Sequence, residues 1–445
     1  MRSKPVLVVI GAGSITFTPK LLRDMLHHPA LGGAEMRLVD IEHESLETMR
    51  RLAGRLNDRL DEPWRISATI DRREALPGAD YIIISVDSAR VDTWRRDFEL
   101  PVSLGVRQVT GELGGPGGLF HSLRQIPLHV EMARDCRELC PSAVVMVESN
   151  PLNRICLAMR RYSGCGEVLG LCHGVEIAQH HLGRLLGLSC EDIETTAVGV
   201  NHFTWILDMR RADTGEDLYG ALTSKLKESR IDLWPLSQKL FEIYGVFPSC
   251  GDEHIGEYLP FAWEFCGLEG PGLDQRASGV EQAWKAYREI AEGRVPLDQS
   301  SIGGGGFCEE QVGFLLAGRS WVDTLAFPII NAVHTHQLKR MPAVNMLNNG
   351  AVANLPADVF VEGPAVADAS GVRLLSAGDL PGPLAAFCRR DIEVCEMTVE
   401  AAMSSDRNLI LQTMLLDPVI DSVATAEKVL DAGLKANEEF LSRYL

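Results

Sequence analysis

Residues 6–20, VLVVIGAGSITFTPK, restrict the fold more than any other stretch of the chain. Five apolar residues are too few for a helix, and they run directly into Gly11 and Gly13, after which helical spacing begins. Strand, glycine turn and helix in that order open a dinucleotide-binding unit, because the glycines permit a tight turn and let a pyrophosphate approach the helix N-terminus. Two basic residues ahead of the apolar run imitate an export signal, but the run is short and ends in the turn, so it reads as a first strand. Ser14 and Ile15 continue the turn, and Thr16 stands where the fingerprint's third glycine would be. The next apolar run ends in Asp40, where an acid would bind a ribose 2′-hydroxyl and repel a 2′-phosphate, favouring NAD over NADP. The plainer reading, a glycine turn with a surface Asp, does not explain why all these parts occur in order.

The rhythm then repeats. Short apolar runs at residues 6–10, 36–39, 81–86, 143–147 and 168–171 alternate with amphipathic stretches such as PKLLRDMLHH and ESLETMRRLAGRLNDRL. This alternation predicts an α/β fold, a Rossmann-type doubly wound parallel sheet. Ligands of such sheets bind beyond the carboxyl ends of the strands. Those ends carry Gly11, Asp40, Asp87, Glu148 to Asn150, and Cys172 with His173.

After about residue 195 the alternation stops. AVGVNHFTWILDM reads as strand, the run Gly303 to Gly306 as a turn or loop, and residues 380–445 as mostly helix. No linker is visible. We therefore expect a cofactor domain over 1–195 and a substrate- and metal-binding, oligomerising domain over 196–445, woven into the first. The 43 basic and 61 acidic residues leave a net charge of −18, which repels nucleic acid and anionic lipid. No apolar stretch approaches the roughly 20 residues that span a bilayer. Eleven Cys without regular spacing read as reduced thiols in a cytoplasmic protein.

Three further motifs carry chemistry. The glycine-rich GELGGPGGLFHSLRQIP, residues 111–127, leads into a helix bearing Arg124; it could close over a nicotinamide or hold a substrate anion, or be a structural turn with a surface ion pair. Cys172 in LCHGV and His202 in GVNHF offer a mixed thiolate and imidazole pair for an open divalent-metal site. Buried Cys and satisfied core His are the ordinary alternative. His180 and His181 sit in a helical stretch and read as ordinary residues. PSCGDEHIGEY, residues 248–258, brings Asp252, Glu253, His254, Glu257 and Tyr258 together, for proton transfer or as a solvated charge cluster.

In their order and spacing, IGAGS, GGPGG with LRQIP, SNPLN, LCHGV, GVNH, DEH with EY, and NNGAVANLP at 348–356 resemble the family 4 glycoside hydrolases. The resemblance runs through the whole chain. It implies a second α+β domain like the C-terminal domain of lactate and malate dehydrogenases, with NAD and Mn²⁺ or another divalent ion as cofactors. It also implies a redox route to hydrolysis: oxidation at C3 of the sugar, deprotonation at C2, elimination of the aglycone, water addition and re-reduction. Carried over by residue, Gly11, Gly13, Ser14, Ile15, Thr16, Asp40 and Asp87 would hold the cofactor, and Cys172 and His202 the metal. Asn150, Arg124 and His254 would contact the sugar. His173 would protonate the leaving oxygen, and Asp252, or else Tyr258, would take the C2 proton. Cys-His-Gly-Val resembles members acting on non-phosphorylated α-glycosides. Gly174 departs from the Ser typical of α-galactosidases, which leaves an α-glucosidase or an α-uronidase acting on glucuronides or galacturonides ahead of an α-galactosidase. The partner would be a small sugar, and the assembly a homodimer or homotetramer. An NAD-dependent 2-hydroxy acid dehydrogenase, with His202 and Arg124 as its catalytic pair, is the competing reading.

Overall fold

The computed structural model describes residues 4–87, 90–228, 234–298, 306–318 and 323–445, so Gly303 to Gly305 of the expected glycine loop lie outside it. Six parallel strands are formed by β1 (Val6–Ile10), β2 (Glu35–Val39), β3 (Arg65–Thr69), β4 (Tyr81–Ile84), β5 (Val144–Val147) and β6 (Val168–Gly170), in the order 3-2-1-4-5-6. This is the doubly wound order of dinucleotide-binding sheets. Val8, Ile10, Ile82, Ile84, Val145 and Val147 face one apolar core, while Leu7, Val9, Ile83 and Met146 face another. Burial on both faces is why these strands appear in the sequence as unbroken apolar runs.

β3 is absent from the expected strands. Its sequence, RISAT, lies at the sheet edge, paired only with β2 and largely uncovered, so nothing requires it to be apolar.

The second half continues the same sheet in antiparallel sense. β7 (Ile193–Val200) and β8 (Phe203–Arg211) form a hairpin, β9 (Phe247–Pro248) adds to β8, and β10 (Lys339–Leu347) and β11 (Phe360–Asp368) bridge β6 to β7. β12 (Gly371–Leu374) pairs with β11. A single row, Gly170, Asn345, Glu362 and Gly199, crosses from β6 to β7. The C-terminal helices Gly382–Ser404, Arg407–Leu416 and Val423–Ala436 bury Val399, Ile410, Val429 and Leu434 in the first core. The helix Ala326–Thr335 puts Phe327, Ile329 and Ile330 into the second. Both faces of the parallel sheet are thus closed by chain from beyond residue 300. No described helix is long and apolar enough to cross a membrane.

Candidate active site

The turn after β1 shows why glycine stands at its first position. Gly11 has φ +87°, and a Cβ there would lie 2.1 Å from the Ser85 carbonyl oxygen. Gly11 and Ala12 donate to the Val39 carbonyl at 2.9 Å each, and Asp40 accepts the Gly13 N–H at 2.7 Å and the Glu42 N–H at 2.9 Å. Asp40 is therefore in contact with the glycine turn. Ser14 accepts the Phe17 N–H at 3.2 Å, Ile15 is half-buried and Thr16 exposed. The following helix, Thr18–His27, has Pro in its first turn and no side-chain cap. A turn that only glycine fits, an uncapped helix start and an acid at the next strand end are what a dinucleotide requires. Asp87, two strands along, is held by Gln125 Nε2 at 2.8 Å and by Arg90. Burial pushes its carboxyl up, but His121 and Arg90 draw it below the ordinary value overall.

At the end of β6 three donors converge. Cys172 follows the strand, His202 sits in the β7–β8 turn with φ +62°, and Cys250 follows β9 with φ +88°. Their ligand atoms all lie within 4.8 Å of one another. Pairing of Trp205 with Pro248, and the bond from Ser249 N–H to the Thr204 carbonyl at 2.9 Å, hold Cys250 against the hairpin that carries His202. His202 Nδ1 is buried without a hydrogen-bond partner, and burial keeps the imidazole neutral by lowering its pKa well below 6.5. The Gly174 N–H donates to Cys172 Sγ at 3.3 Å. A neutral imidazole and two thiol sulfurs fit a divalent ion. The sequence alone did not mark Cys250, because nothing in its spacing links it to the other two; only strand pairing does.

Carboxylates surround this cluster. Glu112 accepts from Asn150 Nδ2 at 3.2 Å and pairs with Arg90; burial opposes its ionisation, but Arg90, His254 and His202 hold its pKa at about 2. The His254 ring lies 4.3 Å from that of His202. Burial lowers the His254 pKa, yet Glu257 and Glu112 raise it above the ordinary value in total. Glu362, bonded by Asn345 at 3.3 Å, is pushed up to about 7 by burial, with Asn345, the His202 backbone and Cys172 pulling the other way. Glu112, Glu257 and Glu362 are each almost fully buried, and Glu112 and Glu362 carried no signal in the sequence beyond their acidity.

Several expected roles meet a different geometry. Arg124 is buried and paired with Asp97, with Asn437 at 3.1 Å, so its guanidinium is committed within the protein instead of being offered to a substrate anion. The glycine-rich loop is likewise filled from within. Glu257 accepts the N–H groups of Glu112, Leu113 and Gly114 at 2.7, 2.7 and 3.1 Å, and Asp417 accepts that of Gly115 at 2.9 Å. Asp252 accepts the N–H groups of Leu236 and Ser237 at 2.7 and 2.8 Å and the Ser237 hydroxyl at 2.6 Å. It caps the helix Pro235–Tyr244, whose own N-cap, Trp234, offers no acceptor, and so points at a helix end instead of acting as a free base. His173 donates from Nε2 to the Asp323 carbonyl at 2.7 Å, and burial with Lys20 nearby lowers its pKa to about 4, so it is neutral when an acid would have to be protonated. Tyr258 stacks on Phe203 and donates to the Asn201 carbonyl at 3.0 Å, one residue from His202.

The family model described as family 4 glycosyl hydrolase matches residues 6–188, and that of the family's C-terminal domain matches residues 197–420. An alpha-glucosidase of Erwinia rhapontici is 28% identical over 476 residues, covering 98% of each chain. An alpha-galactosidase of Bacillus subtilis is 31% identical over 463 residues, covering 98% of this chain and 99% of the relative. Among solved structures, a 6-phospho-alpha-glucosidase from gut microorganisms, determined with NAD and Mn²⁺, superposes with a TM-score of 0.84 at 22% identity, covering 98% of this chain and 99% of that one. At that identity the likeness concerns the fold.

Proposed function

The chain belongs to the family 4 glycosyl hydrolases, and from that membership we propose that it hydrolyses the α-glycosidic bond of an uncharged hexoside, an α-glucoside or α-galactoside, with NAD and a divalent metal ion. The observation that carries this reading is the Cys172–His202 donor pair at the end of β6, in the same sheet whose β1 and β2 ends hold the Gly11 turn and Asp40. When bound, NAD would supply a hydride acceptor for C3 of the sugar, and the metal a Lewis acid for the neighbouring oxygens.

The chain's own residues do the rest. Residues 1–195 bind the cofactor through the Gly11–Thr16 turn and Asp40, and residues 196–445 complete the sugar side. Asn150, oriented by Glu112, holds sugar hydroxyls near the metal donors. His254, whose raised pKa favours the protonated ring, gives its proton to the leaving oxygen in place of His173. Tyr258 adjoins the His202 turn and takes the C2 proton in place of Asp252 only by giving up the Asn201 carbonyl, against burial that raises its pKa well above the ordinary value. The cytoplasm suits eleven thiols that are all unpaired.

An uncharged substrate follows from the local charges. Among the described residues, Arg90 lies between Asp87 and Glu112, Arg124 is paired with Asp97 and Arg23 with Asp323, so these guanidinium groups are matched by carboxylates. The α-galactoside stays in the proposal because Gly174 has a structural cause unrelated to the sugar. A Cβ at Gly174 would lie 2.7 Å from Cys250 Sγ.

The test is a panel of nitrophenyl α-glucoside, α-galactoside, α-glucuronide and α-galacturonide, assayed with NAD, a divalent ion and reductant, with NADH followed in parallel. Neutral glycosides should turn over without net NADH, and uronides much more slowly. Preferred uronides would overturn the substrate class. NADH formed in step with oxidation of a 2-hydroxy acid would overturn the reaction class.

A further inference from the structure

Cys250 is not accounted for by a two-residue metal pair. Its Sγ lies with Cys172 Sγ and a His202 ring nitrogen inside one 4.8 Å cluster, and its thiol is held near Cys172. Two features of the backbone bring it there. Cys250 adopts φ +88°, a conformation costly for a residue with a Cβ, and His202 adopts φ +62°. Gly174 gives up its side chain at the point where the Cys250 sulfur rests: an added Cβ would meet Cys250 Sγ at 2.7 Å, Cys250 Cβ at 3.0 Å and Cys172 Sγ at 3.5 Å. The fold thus places a second sulfur beside the first, and His202, whose Nδ1 is buried without a hydrogen-bond partner, belongs to the same cluster.

We propose that Cys250 is a third protein ligand of the metal, so that the site is Cys172, His202 and Cys250 with one side open to substrate, and that it prefers Zn²⁺ or Co²⁺ to Mn²⁺. This rests on the metal reading above and goes beyond it. Two thiolates and an imidazole with an open fourth position make a known catalytic zinc set, whereas Mn²⁺ favours carboxylate and water oxygens. With Zn–S near 2.3 Å and Zn–N near 2.0 Å, tetrahedral donors stand roughly 3.5–4 Å apart, so donors within 4.8 Å need to close by at most about 1.3 Å. The metal also provides a reason to keep a left-handed cysteine next to Gly251, itself at φ +83°.

The experiment uses the full chain, purified under reductant, stripped with a chelator and reloaded with Co²⁺, Zn²⁺ or Mn²⁺ alone. In the Co²⁺ protein the thiolate-to-metal charge-transfer absorption should fall to about half in Cys250→Ser, since one of two sulfur ligands is lost. Gly174→Ala should give the same spectrum with every thiol still present, because the new methyl displaces the Cys250 sulfur. Zn²⁺ affinity, measured by competition with a chromophoric chelator, should fall by at least ~100-fold in both variants, and that for Mn²⁺ by less than ~10-fold. Circular dichroism and melting curves establish that each variant is folded. Undiminished Co²⁺ absorption and unchanged Zn²⁺ affinity in folded Cys250→Ser would overturn the proposal. If Cys172→Ser then abolishes metal binding, only the role of Cys250 falls; if the unaltered chain takes up no metal, the two-ligand reading falls with it.

Discussion

Asp252 accepts two N–H groups and a hydroxyl at the start of the helix Pro235–Tyr244, and that geometry separates a cap from a base by experiment. Asp252→Asn keeps an acceptor at the helix end and should retain kcat within a few-fold, while Asp252→Ala should lose about 0.5–2 kcal/mol of stability in urea unfolding. A kcat loss of ~100-fold or more in Asp252→Asn, with stability intact, would return the base role to Asp252. Tyr258→Phe is the counterpart, expected to abolish C2 proton exchange while metal uptake persists. Glu148 carries a different prediction. Both its oxygens are buried without hydrogen-bond partners, and burial raises its carboxyl from 4.5 to about 8, with Lys20 opposing and Asp24 adding to the rise. The native state keeps a proton that the unfolded chain releases. This contribution to stability is therefore full below pH 4.5 and is lost as pH rises through about 8. Glu148→Gln should gain melting temperature relative to the parent between about pH 5 and pH 8.5, measured without cofactor or metal. Parallel melting profiles would show that Glu148 is ionised in the fold. At this scale the sequence was partly legible. Cys172 and Asp40 could be found because they end apolar strands. Cys250 could not, since its place depends on β9 pairing with β8.

Whole elements were more legible where both faces are buried. β1, β4, β5 and β6 are apolar throughout or nearly so because both faces are covered, β2 keeps Met36, Leu38 and Val39 buried beside Glu35 and Arg37, and the edge strand β3 carries Arg65, Ser67 and Thr69 and leaves no such trace. The loop before the helix Gly115–Leu139 was legible as a glycine turn but not in purpose. Its glycines serve close packing, a Cβ at Gly114 falling 2.3 Å from the Glu257 carbonyl oxygen, and its N–H groups are satisfied by Glu257 and Asp417. Glu257→Ala should therefore cost about 3 kcal/mol or more, with Glu257→Gln recovering part, because several buried donors lose their acceptor. The helix itself is tied to the helix Arg90–Ser103 by the Arg124–Asp97 pair. Arg124→Met should destabilise by about 3–5 kcal/mol by leaving Asp97 buried and unpaired, and the double variant with Asp97→Leu should regain much of that. A rise in KM for a neutral glycoside with stability unchanged would instead indicate contact with substrate.

Across the whole molecule, one continuous sheet explains why no linker is visible in the sequence. The parallel strands end at residue 170, yet the cores on their two faces are completed by residues 326–335 and 382–436. The alternation of the first half could be read from local periodicity. The second half could not, because β10 and β11 join β6 and β7 only through distant pairing. That joining brings the donors from β6 and from the β7–β8 turn together, in the same sheet as the cofactor turn. The net charge of −18 is consistent with this arrangement in one respect: among the described residues, Arg90 and Arg124 are matched by acids. We propose that this shared sheet supports hydrolysis through oxidation and C2 deprotonation. The most direct measurement is turnover of a neutral α-glycoside in D₂O with NAD and a divalent ion, followed by NMR of the released sugar and by NADH absorbance. Deuterium at C2 of the product without accumulation of NADH is expected; product with only hydrogen at C2 would contradict the C2-deprotonation route.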